Sequence, residues 1–197
     1  MRGHRSGRGK PVGLSALLAA LALLAGSASA TAQTGGAGPP GGTTTDPSAP
    51  PAGVPGVATL APDGSAIPPT DAPRPVRKAI NSGNRIHTLP YLWGGGHNRK
   101  FRSAGYDCSG AVSYVLHAAG MLKSPLSSGP LARSWGLPGV GQWITVYANN
   151  SHAYAVIAGL RWDTSAVGES LNQGSGPRWR TTQRSPVGYT ARYFPGY

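Results

Sequence analysis

Asp107-Cys108-Ser109-Gly110-Ala111-Val112-Ser113-Tyr114-Val115-Leu116-His117-Ala118-Ala119-Gly120 is the stretch from which the fold can be worked out. Val112, Val115, Leu116 and Ala119 recur at helical spacing, Asp107 is a good N-cap and Gly120 a good stop, so a helix is predicted over 108–120. Downstream, 141–148 and 152–160 read as strands joined by Asn149-Asn150-Ser151, a turn-rich tripeptide. Upstream, 75–82 starts a short helix that Gly83 ends. Tyr91-Leu92-Trp93 is a brief apolar stretch broken by Gly94-Gly95-Gly96, a site for close backbone approach or a sharp turn. A helix followed by antiparallel strands is an α+β pattern.

Working outward, the folded unit is expected over 76–197, ample for one domain. Before it, 31–75 is Gly, Pro, Thr, Ala and Ser with almost no large apolar side chains. Such a segment cannot bury enough surface to offset chain entropy, so a disordered, semi-extended tether is expected there. Residues 1–30 have the parts of a secretory signal peptide: Arg2, Arg5, Arg8 and Lys10, an apolar run over 14–25, and Ala28-Ser29-Ala30 as cleavage site, with Ala32 the alternative. The apolar run is about 12 residues, against the roughly 20 that a bilayer span needs, so no stable membrane anchor is expected after cleavage. The expectation is a secreted, extracellular protein.

The formal charge is +12, with 18 Lys and Arg against 6 acids. No recognition helix, zinc-ligand spacing or aromatic RNA-binding motif accompanies it, so nucleic acid is not an expected partner. A solvated basic surface and residence beside an anionic polymer both remain open.

Cys108 is the only cysteine, so no intramolecular disulfide can form. It either packs as a small apolar side chain or does chemistry. As the first helical residue it sits where unpaired amides and the helix dipole favour an anion, and where those amides can hold an oxyanion. Asp107 works against a thiolate, so its carboxylate is expected to turn onto backbone amides or a substrate amine.

A nucleophilic cysteine also needs a base, and the folded unit offers His87, His97, His117 and His152. His117, nine residues on, points to the opposite helix face. His87 and His97 lie in irregular, Gly-rich sequence where a histidine is usually a solvated polar residue. His152 opens a strand after a turn, where a side chain can face a cleft, though a plain strand-end histidine fits equally. Asp163, eleven residues later, is either the group that orients the imidazole or a surface partner of Arg161.

Tyr91-Leu92-Trp93-Gly94-Gly95, then Gly105 to Val115 with Asp-Cys-Ser-Gly at its centre, then a strand beginning at His152, resembles the NlpC/P60 family of peptidoglycan endopeptidases. The resemblance runs over 86–163. It implies a papain-like core in which a helix carrying the cysteine packs on an antiparallel sheet carrying the histidine, with no metal and no cofactor. It implies Cys108 as nucleophile, His152 as base, and Asp163 at the position of a polar orienting residue, commonly a second histidine. Tyr91 resembles the family tyrosine whose hydroxyl reaches the oxyanion position, and Asp107 and Ser109 match residues that help recognise the free amine of a stem peptide. The implied substrates are stem peptides with γ-D-glutamyl bonds, and the implied surroundings include anionic cell-wall polymers. The strand residues differ: Gly141-Gln142-Trp143-Ile144 stands where the family has a Gly-Asp-Leu-Val-like run, and Ala153-Tyr154 where it has Val-Gly. A wall-binding protein without chemistry, and an N-acetylmuramoyl-L-alanine amidase using the same Cys and His, stay open beside the endopeptidase. For the Gly176-Pro177-Arg178-Trp179-Arg180 segment a surface turn is expected, with contact to acidic wall polymer the alternative.

Overall fold

Asp63 and Gly64, the latter at φ +81°, turn the chain back on itself, and β1 (Thr59–Leu60) pairs antiparallel with β2 (Ala66–Ile67). The computed structural model describes residues 56–167 and 175–197. This hairpin lies inside the stretch expected to be a disordered tether, so the folded unit begins by Ala58, well before the expected boundary at 76. Ala58, Ala66 and Ala72 are buried, the Ala58 N–H donates to Ala158 O at 2.8 Å, and the Asn84 side chain bonds both polar groups of Ala66. Small alanines bury completely where composition averaged over the whole stretch shows no apolar run. The expected signal peptide and the tether up to residue 55 lie outside the described residues.

Helix α1 (Arg74–Gly83) has Pro75 in its first turn and buries Val76, Ala79, Ile80 and Gly83 along one stripe. Helix α2 (Cys108–Ala118) starts where Asp107, extended at φ −83° and ψ 179°, accepts the Gly110 N–H at 2.7 Å. It is buried around most of its circumference, which makes it the central helix. Its end is a Schellman motif: Gly120 at φ +80° donates to His117 O, and Met121 donates to Leu116 O at 2.9 Å. A short helix α3 (Ser128–Arg133), which the sequence pattern does not reveal, follows.

The remaining elements form one antiparallel sheet: β3 (Leu137–Pro138), β4 (Ile144–Ala148), β5 (Ala153–Ile157), β6 (Leu160–Asp163), β7 (Arg178–Arg180) and β8 (Thr190–Tyr193), in the order β3-β8-β4-β5-β6-β7. The architecture is α+β. Strands β4 and β5 pair from Ile144↔Ile157 to Ala148↔Ala153, around the expected turn. Asn149 closes that turn by accepting the N–H groups of Ser151 and His152, both at 2.9 Å. The second expected strand divides, because Ala158 (φ 46°) and Gly159 (φ 84°) form a two-residue turn into β6. The segment expected as a surface turn is instead strand β7, with Trp179 and Arg180 buried. Its Trp179 packs on Trp162 at 4.6 Å between ring centroids and fits against Gly83 of α1.

Register divides the sheet into two faces. Val146, Ala148, Ala153, Ala155, Trp162 and Trp179 share the face toward α2, where the Trp162 indole donates to Ala111 O at 3.0 Å. Tyr147, Tyr154, Arg161, Asp163 and Arg180 share the other. No helix among the described residues is long and apolar enough to cross a membrane.

Gly110 offers a test of how tightly α2 is seated. In an exposed helix, Gly→Ala stabilises by about 1 kcal/mol. Here a Cβ would stand 1.9 Å from the Gly95 carbonyl oxygen, which is backbone and cannot swing away. Gly110→Ala should therefore lower the unfolding free energy by about 1–3 kcal/mol. Urea denaturation measures this, and a neutral or stabilising result would contradict the contact.

Candidate active site

The glycine-rich loop and the start of α2 are built as one piece. Tyr91 bridges to Tyr106, with Tyr106 N donating to Pro90 O and Leu92 N to Tyr106 O. Gly95 can only be glycine, since a Cβ there would lie 2.2 Å from Gly105 O. The Gly94 N–H donates to Asp107 Oδ2 at 3.0 Å, which ties the loop to the residue before the cysteine. The expected close backbone approach is thus made against the helix itself.

Cys108 is a free thiol at the first position of α2, 9% exposed. Its amide and that of Ser109 are first-turn donors with no carbonyl partner inside the helix. The Tyr91 hydroxyl is held protonated above its usual range by burial first, then by the nearby Cys108 and Asp107 charges.

His152 stands at the entry to β5, and its Nε2 lies 2.9 Å from Asp163 Oδ1. Cys108 is the other group that raises the ring's pKa, and with Nε2 committed to Asp163 it is Nδ1 that is left for the sulfur. Burial works against the imidazolium, but the hydrogen bonds to Asp163 and Cys108 and their charges outweigh it and push the pKa up to about 9. The side chain is 16% exposed. Strand β5, the Ala158-Gly159 turn and β6 bring Asp163 back beside His152 across the eleven-residue separation. Arg161, the alternative partner, stands beside Asp163 as well, but the pair is buried and not at the surface. Asp163 Oδ1 also accepts the Ser165 N–H at 2.9 Å, while Oδ2 faces Arg161 Nε at 3.5 Å and Arg184 Nη1 at 3.3 Å.

The other histidines separate clearly. His117 is exposed and stacks on Phe101 at 4.0 Å between centroids. His87 spans the carbonyls of Asn84 and Asp63. His97, which the sequence casts as a solvated residue, belongs to the site: its Nε2 lies 3.0 Å from Asp107 Oδ1 and 3.2 Å from Ser109 Oγ. The Asp107 hydrogen bond raises the His97 pKa against the opposing effect of burial. Asp107 in turn is held below the usual carboxylate range. Burial opposes this, but His97, the Gly110 amide and the Ser109 hydroxyl prevail. Nothing local in the sequence pairs His97 with Asp107, because only the loop's docking on α2 brings them together. Asp107 and Ser109, expected to read a substrate amine, are bonded to each other and to His97. Among the described residues no group of three or more His, Cys, Asp or Glu side chains could hold a metal ion.

No family model and no curated protein matches the chain. Among solved structures it is similar to one described as the structure of Rv1477, a hypothetical invasion protein of Mycobacterium tuberculosis, at 23% identity over 70% of this chain and 71% of that one, with a TM-score of 0.41. So distant a likeness says nothing of the chemistry, which rests on the side chains described above.

The charge on His152 should be visible in solution. Its folded pKa of about 9 lies above the ordinary histidine value of 6.5, so the ionised ring stabilises the fold fully below about 6.5 and that contribution is lost as pH rises through about 9. Imidazole NMR should show His152 titrating near 9, and Asp163→Asn should move it down toward 6.5. A wild-type value at or below 6.5 would refute the paired geometry.

Proposed function

We propose that this chain is a secreted cysteine endopeptidase of the bacterial cell wall, built on the papain-like core of the NlpC/P60 family and acting on peptidoglycan stem peptides. The observation that carries the reading is one imidazole held between a buried carboxylate and a sulfur at the head of a buried helix. A protein that only binds the wall has no use for that arrangement.

The chemistry follows from the three groups. His152 Nδ1 carries the proton given up by the Cys108 thiol, in keeping with a ring whose pKa is pushed up to about 9, and the deprotonated sulfur attacks the scissile carbonyl carbon. The developing oxyanion is met by the first-turn amides of α2 and the Tyr91 hydroxyl. The C–N bond breaks, His152 returns its proton to the departing amine, and a thioester remains on Cys108. Water, deprotonated by His152, then adds to the thioester carbonyl. The acid product leaves, and the thiol is restored. Asp163 accepts from Nε2 throughout, fixing the ring and stabilising its cation. Stem peptides with γ-D-glutamyl bonds are the substrates that the motif resemblance favours. The basic domain, with 13 Lys and Arg over 76–197 against three acids, suits a surrounding of anionic wall polymer.

Digestion of purified peptidoglycan, read by mass analysis of the released fragments, tests this. Cys108→Ala and His152→Ala should abolish release while circular dichroism stays native, and Asp163→Asn should slow it by about 10²-fold or more. Turnover by Cys108→Ala would sink the proposal. Fragments cut between sugar and peptide would reassign the enzyme as an amidase.

A further inference from the structure

Arg184 lies in the 181–189 connection between β7 and β8, most of whose residues are exposed, yet its own side chain is only 17% exposed. Its guanidinium carbon stands 5.3 Å from the Tyr189 ring centroid and 5.7 Å from that of Tyr154, a seat between two aromatic rings. From there Nη1 reaches Asp163 Oδ2 at 3.3 Å. The same two rings flank the imidazole, with His152 centroid distances of 6.5 Å to Tyr154 and 6.3 Å to Tyr189. The cation, the carboxylate, the imidazole and the two rings therefore form one cluster.

We propose that Arg184 is a positioning residue for His152, acting through Asp163: it fixes the carboxylate by its far oxygen and shares its charge. The two oxygens of Asp163 are loaded from opposite sides. Oδ1 takes His152 and the Ser165 amide, and Oδ2 takes Arg184 together with the strand-borne Arg161. With Oδ2 held, the carboxylate cannot rotate away from the imidazole. With its charge shared, it holds the imidazolium without binding the proton so firmly that the ring ceases to be a useful acid. That second consequence rests on the peptidase reading, in which His152 must give its proton to the departing amine. Arg161 comes with its strand, whereas Arg184 is delivered by a connection, so docking of that connection completes the orienting group.

The groups that face His152 are Cys108 from α2, Asp163 and Arg161 from β6, Tyr154 from β5, and Tyr189 and Arg184 from the connection. Tyr147 of β4 stacks on Tyr154 at 5.0 Å, and the Tyr91 hydroxyl feels the Cys108 charge. Among these, Arg184 and Asp163 exert opposite effects on the ring, which gives the test its sign.

The experiment is the NMR titration of His152 in the full chain. Arg184→Gln should raise the titration point by about one unit, because a cation a few ångströms beyond the carboxylate is gone. Asp163→Asn should lower it, and Arg184→Lys, which keeps the charge, should stay within a few tenths of a unit of wild type. An arginine that merely braced the loop would, when removed, loosen Asp163 and shift His152 downward, as Asp163→Asn does. An unchanged or lowered value in Arg184→Gln therefore overturns the proposal. Should that variant not fold, Tyr189→Leu removes one ring of the arginine's seat on an exposed connection. A smaller upward shift is expected from it, and its absence overturns the proposal equally. The readout needs no turnover: an inactive wild type would refute the peptidase reading and leave the titrations to decide the role of Arg184.

Discussion

Four donors converge on the Asp107 carboxylate: the Gly110 amide that starts α2, the Gly94 amide of the glycine loop, the Ser109 hydroxyl and the His97 ring. Each fixes a different part of the structure to the same point. The amide of Gly110 sets where the helix begins, and with it the position of Cys108. The amide of Gly94 holds the loop that carries Tyr91. Because the carboxylate is largely buried, each of these bonds also offsets the cost of taking a charge out of water. A neutral capping residue would start a helix but would not attract His97, so the charge at this position organises more than the cap.

The second buried carboxylate works on the opposite partner. Asp107 lies at the head of the helix and steadies the backbone around the sulfur, whereas Asp163 lies at the end of β6 and steadies the imidazole. In a chain with three times as many cations as acids, neither is left to solvent. The two remaining acids among the described residues are also engaged, Asp63 by Ser65 and Asp71 by the Gly56 amide. The excess positive charge is therefore unbalanced at the surface and balanced where the chemistry is placed.

What could be read from the sequence is what depends on near neighbours. Helix α2 with its cap and its glycine stop, the β4–β5 turn, and the phase that puts His152 and Asp163 on successive strands all follow from spacings of a dozen residues or fewer. Arg184 and the order of residues 58–72 depend on partners farther along the chain, and His97, only ten residues from Asp107, meets it because an irregular loop folds back on the helix, which no local pattern announces. Strand β7 is an intermediate case. Arg178-Trp179-Arg180 looks like an exposed basic turn by itself, but it pairs in register with Arg161-Trp162-Asp163, tryptophan against tryptophan. The alternation of charge, aromatic and charge in both tripeptides was the available signal. It was obscured because arginine normally marks a surface, whereas here Arg161 and Arg180 are buried on the polar face of the sheet.

That burial bears on why the other face is so plain. Ala153 and Ala155 lie under α2 with no exposure at all, as does Ala148 on the neighbouring strand, which packs on α3, and the short side chains of β5 let the helix come close to the strand. A larger residue at Ala153 or Ala155 would add apolar area, yet it would push the helix outward and take the sulfur from the imidazole one residue before Ala153. The small inner face is therefore a geometric requirement of the site. It also limits how much hydrophobic stabilisation this part of the sheet can supply, which leaves Trp162 and Trp179 as the bulky residues that close the core around it. The buried arginines on the far face add little net stability, since desolvation consumes most of what their pairing returns. Their contribution is orientation: Arg161 faces the carboxylate whose other oxygen sets the imidazole, Arg180 donates to the backbone carbonyl of the same Asp163, and the alanines bring the sulfur within reach.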